Sequence, residues 1–67
     1  MTPNFDREAE QLADIAERLA DAAIDLLRAA AAGQASAETS EREVQKARRA
    51  VLKAEETLRR LGGQGDD

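Results

Sequence analysis

Apolar residues recur along this chain with helical spacing in two separate stretches. Phe5, Leu12, Leu19 and Leu26 follow one another at intervals of seven in the first half. Val44, Val51 and Leu58 do the same in the second, with Ala47, Ala54 and Leu61 three residues after each. Alternation at three and four is what a helix needs to present one continuous seam to a neighbouring helix. Gly33 and a short polar stretch part the two patterns, so the chain is expected to be all-α: an antiparallel helical hairpin of two long helices.

The boundaries follow from end signals. Thr2-Pro3-Asn4 reads as a helix start, because proline is tolerated in the first turn and Thr2 or Asn4 can accept hydrogen bonds from the open N–H groups. Asp6 and Glu8 place negative charge at the positive end of the helix dipole. The first helix is expected over about 3–32, closed by Gly33 in the left-handed conformation. The second is expected over about 36–61. It begins at Ser36, or at Ser40, which has capping-box spacing to Glu43; the heptad reaches back through Ala37 and favours the earlier start. Residues 1–61 then form the hairpin, and 62–67 (Gly-Gly-Gln-Gly-Asp-Asp) a flexible tail with nothing to bury.

The two helices differ in how much surface they must cover. At about 100° per residue, the apolar positions of the first helix occupy more than half of its circumference. Beside the large stripe runs a small one, Ala9, Ala13, Ala16, Ala20 and Ala23, ending on Ile24 and Leu27. The second helix has one narrow seam. A hairpin supplies the first helix with one neighbour, so the alanine stripe with Ile24 and Leu27 is the expected contact with another chain. Only twelve apolar residues larger than alanine follow Met1, and the chain has no cysteine to staple a small core. Two hairpins forming an antiparallel four-helix bundle, a homodimer, is the economical solution.

Charge is divided just as unevenly. Glu10, Asp14, Glu17, Asp21 and Asp25 fall on the outer side of the first helix, while Arg42, Lys46, Arg49, Lys53 and Arg60 form a basic strip on the second. Such a strip could follow a phosphate backbone or grip an acidic protein. A net charge of −4 and the lack of tryptophan and tyrosine argue against nucleic acid. The acidic row has carboxylates at spacings of three and four, but they point outward and no histidine accompanies them, so no metal is expected.

In length, hairpin plan and acidic tail the chain resembles the Rop proteins, plasmid-borne dimeric hairpins that bind paired RNA loops. The likeness rests on architecture and on no motif. It implies a dimeric four-helix bundle. The RNA-binding face of those proteins is basic and polar and lies on the first helix, where this chain is acidic, so the likeness does not extend to RNA binding. Gly62-Gly63-Gln64 repeats a tripeptide found in peptide-chain release factors and at the end of the bacterial tag Pup. A helix end followed by a polar tail accounts for the same residues.

No catalytic constellation can be assembled: histidine and cysteine are absent, and Ser36, Thr39 and Ser40 read as cap residues. No cofactor is implied. No segment approaches the ~20 apolar residues of a membrane span, nor does the N-terminus have the form of a signal peptide, so a cytoplasmic location is expected. Abundant alanine and an excess of arginine over lysine suggest a bacterial source. The expected role is a non-catalytic protein–protein interaction module, a small regulator, adaptor or accessory subunit. The alternatives are a nucleic-acid-binding regulator using the basic strip, and an obligate helical subunit of a larger complex.

Overall fold

A computed structural model describes residues 4–63 of the chain. They form two helices, α1 (Asp6–Ala31) and α2 (Ala35–Gly63), packed against each other as a hairpin. The molecule is a rod of 54 × 14 × 12 Å.

α1 starts one turn later than the proline suggests. The Asn4 side chain accepts a hydrogen bond from the Asp6 N–H at 2.8 Å, tying the entering chain to the first turn. The Phe5 side chain at the N-cap has no polar group to offer. Thr2 and Pro3 lie outside the described residues. At the other end, Gly33 adopts φ +96°, a conformation in which a Cβ would crowd the backbone. Gln34 N–H donates to Ala29 O at 3.1 Å and Gly33 N–H to Ala30 O at 3.0 Å. This crossed pair satisfies carbonyls that α1 would otherwise leave open.

The chain re-enters a helix at once. Ala37 N–H donates back to Gln34 O at 3.0 Å, so α2 begins at Ala35, one residue before Ser36, and Ser40 lies inside it. Its far end also differs from expectation: Gly62 and Gly63 continue the helix where the flexible tail was expected to begin. The expected tail beyond them, 64–67, lies outside the described residues. None of the described helices is long and apolar enough to cross a membrane.

The burial pattern gives the rotation of each helix about its axis. On α1 the inward row is Phe5, Ala9, Leu12, Ala16, Leu19, Ala23, Leu26 and Ala30. On α2 it is Ala37, Glu41, Val44, Arg48, Val51, Glu55, Leu58 and Gly62. Both rows step alternately by four and three, the spacing of a helix-packing seam. The α2 row is a correction to the sequence reading. Val44, Val51 and Leu58 are in the seam, but their expected companions Ala47, Ala54 and Leu61 are exposed, and Glu41, Arg48 and Glu55 stand in their place.

Candidate functional site

A tight turn centred on Gly33 puts residues whose numbers sum to about 67 at the same height on the two helices. The seam then has two unlike sides. Along one, Leu58, Val51 and Val44 fall in height between Phe5, Leu12, Leu19 and Leu26, forming an interdigitated ladder of large apolar residues. Along the other, Glu55, Arg48 and Glu41 fall between Ala9, Ala16, Ala23 and Ala30.

The alanine side is closed. Ala9, Ala16 and Ala23 are 0%, 3% and 1% exposed. Alanine lets two helix axes come close, and the aliphatic stems of glutamate and arginine can lie along the gap with their charged ends directed outward. The Glu55 side chain does this: it is 19% exposed, and its Oε2 accepts from Arg59 Nε at 2.9 Å. Glu41 Oε2 and Arg48 Nε are buried with no hydrogen-bond partner. Unpaired polar atoms in a seam weaken it.

Ala9, Ala16 and Ala23 were expected at a contact with another chain. α2 covers them instead. Ala13 and Ala20, from the same expected set, are half-buried at the edge of the seam, while Ile24 and Leu27 are exposed by 47% and 51%. The single-chain hairpin therefore splits the expected interface set into a buried inner row and an open outer one. The sequence signal that could have shown this is the row Glu41–Arg48–Glu55, which has heptad spacing with long-stemmed side chains.

The ladder side is open. Phe5, Leu12, Leu19, Leu26, Val44, Val51 and Leu58 are all only half-buried, and among the described residues no large side chain is fully buried. Among the described residues the four buried hydrophobics are all alanines, the fourth being Ala37. Helix handedness fixes which flanking residues accompany each side. Ile15, Ala22 and Ala29 of α1 lie beside the ladder, as do Ser40, Ala47, Ala54 and Leu61 of α2. Asp6, Ala13, Ala20 and Leu27 lie beside the alanines, with Glu38, Gln45, Leu52 and Arg59. One electrostatic coupling agrees with this assignment. The Arg59 guanidinium is held above its ordinary pKa, mainly by its hydrogen bond to Glu55 and also by the charges of Glu10 and Asp6 across the hairpin.

The charged strips lie away from the seam. Arg42, Lys46, Arg49, Lys53 and Arg60 are all exposed on α2. Arg42 pairs with Glu38 at 2.8 Å and Arg60 with Glu56 at 3.7 Å, both within α2. Among the described residues Lys46, Arg49 and Lys53 make no ion pair. On α1, Glu10, Asp14, Glu17, Asp21 and Asp25 are exposed, and Asp25 meets Arg28 at 3.9 Å. These carboxylates are spread along the rod, and no group of three potential metal ligands converges among the described residues. Gln11, Asp14, Ile15 and Arg18 line a shallow surface depression on α1 that the turn of a single helix suffices to explain.

No protein-family model, curated protein or solved structure matches this chain.

Proposed function

We propose that this protein is a non-catalytic helical interaction module, half of a four-helix bundle that is completed by association with a second copy. The observation that supports this reading is the burial pattern. A hairpin with seven large seam residues encloses none of them, and its buried hydrophobics are alanines. A lone pair of helices has no inside for large side chains; a second pair laid over the open side creates one. The role that follows is recognition through helix faces, as in a small regulator, adaptor or accessory subunit, with its charged strips outward.

Concentration-dependent thermal unfolding tests this reading. Association linked to folding makes the midpoint rise with protein concentration. The proposal expects a clear rise between about 5 and 500 μM by circular dichroism. A midpoint independent of concentration would refute self-association as the source of stability.

The exposed basic strip supports a second reading, a regulator that binds nucleic acid through Lys46, Arg49 and Lys53, the three cations of that strip that make no ion pair among the described residues. Binding through that strip would weaken steeply as salt rises and be lost in Arg49→Ala/Lys53→Ala. Absence of binding to mixed duplex and single-stranded nucleic acid at low salt would eliminate this reading.

A further inference from the structure

We infer that the second copy packs on the ladder face, the side carrying Ile15, Ala22 and Ala29 of α1 and Ala47, Ala54 and Leu61 of α2, and not on the face of Ala13, Ala20, Ile24 and Leu27. The inference rests on the self-association reading and names its surface.

Two observations single out this face, and the size of the rod fits a second copy on it. The large apolar seam residues all lie on this side, and none of them is fully buried. Leu12, Leu19, Leu26, Val44, Val51 and Leu58 are half-buried, and they border the Ile15 and Leu61 rows, in which Ile15 and Leu61 are 39% and 42% exposed. A helix laid there turns the α1 rows Phe5–Leu12–Leu19–Leu26 and Ile15–Ala22–Ala29 into two adjacent positions of one core. It does the same for the α2 rows Val44–Val51–Leu58 and Ala47–Ala54–Leu61. That restores the heptad stripe which the isolated hairpin covers only by half.

Charge distinguishes the faces. The flanking rows of the ladder face hold one charged residue, Glu8, near the open end of the rod. Those of the opposite face hold Asp6, Glu38 and Arg59, with Glu41, Arg48 and Glu55 immediately behind them. Packing a second copy on that opposite face would bury several charges at once, which is costly unless each finds a partner.

Size fits a second copy of the same rod. An outline of 54 × 14 Å is about 750 Å² on each partner. Two copies would bury on the order of 1,500 Å², within the range of stable specific interfaces. Alanines at 22, 29, 47 and 54 keep the face flat, so two identical faces can approach closely along their whole length.

Paired charge insertions test the assignment by sedimentation velocity of the full chain. Ala47 and Ala54 are exposed in the hairpin, as are Ile24 and Leu27, so glutamate at either pair leaves the hairpin seam untouched. Helicity at 222 nm checks that each variant is folded. Ala47→Glu/Ala54→Glu is expected to weaken the dimer by about 100-fold or more and to sediment as a helical monomer. Ile24→Glu/Leu27→Glu is expected to remain dimeric. A dimer that survives Ala47→Glu/Ala54→Glu would overturn the assigned face while leaving self-association standing. So would selective loss of the dimer in Ile24→Glu/Leu27→Glu. If the unmodified chain sediments as a monomer across the same concentrations, the self-association reading fails before any face is assigned.

Discussion

Replacing Ala16 by leucine adds three carbons at the middle of the closed side of the seam, and the sign of the resulting stability change tests how that side is built. Ala16 is 3% exposed and lies between Ala9 and Ala23, which are closed to the same degree. Were there room, three buried carbons would stabilise by about 0.8 kcal/mol each, or about 2.4 kcal/mol together. In a close helix contact there is no room, and overpacking costs about 1–3 kcal/mol instead. The structure favours the second outcome, because the side chain would have to displace α2 itself. For a domain of this size that corresponds to a fall of about 5–20 °C in midpoint. Urea and thermal unfolding by circular dichroism, at one fixed protein concentration, measure it. Ala31→Leu, at an exposed position, serves as the control and should stay within about 0.5 kcal/mol. A stabilised Ala16→Leu would mean that α2 does not close over the alanines, and the seam as described would be wrong.

Further expectations follow from single sites. Gly33→Ala should destabilise by about 1 kcal/mol, since φ is +96° although a Cβ there would meet nothing within 4 Å. Gly62→Ala should do the reverse, gaining about 0.5–1 kcal/mol, because Gly62 is helical and a Cβ has open space; the pair compared by urea titration checks both turn and helix end. Arg48→Met should be neutral or stabilising by about 1–2 kcal/mol, since it keeps an unbranched stem and removes the Nε that has no partner; a loss above about 1 kcal/mol would show that Arg48 is bonded in the folded protein. The exposed ion pairs Arg28–Asp25, Arg42–Glu38 and Arg60–Glu56 are each worth only about 0.3–0.5 kcal/mol. Raising sodium chloride from 50 to 500 mM should therefore change unfolding free energy by under about 2 kcal/mol.

The hairpin was legible in the sequence because the apolar spacing and the turn signal agree on it. Heptad stripes mark each helix, Gly33 marks the turn, and Phe5–Leu12–Leu19–Leu26 marks the seam on α1. The rotation of α2 was not legible. Val44, Val51 and Leu58 belong equally to a register completed by Ala47, Ala54 and Leu61 and to one completed by Glu41, Arg48 and Glu55. Hydropathy selects the first. The hairpin adopts the second because the alanines of α1 let the helices approach and long-stemmed side chains can line that gap, even though Glu41 Oε2 and Arg48 Nε are buried there without partners. The same preference explains why the alanine stripe was expected to face another chain. Its true cover was a charged row that hydrophobic periodicity does not register. Gly62 and Gly63 mislead in the same local sense: two glycines suggest an end, yet the backbone remains helical through both.

Sedimentation equilibrium of the unmodified 67-residue chain tests the central claim most directly, because the claim is that one hairpin is an incomplete core. The monomer mass is 7.2 kDa. The account predicts a helical species of twice that mass at micromolar concentrations. A stable, fully helical monomer that stays at the single-chain mass into the millimolar range would contradict it.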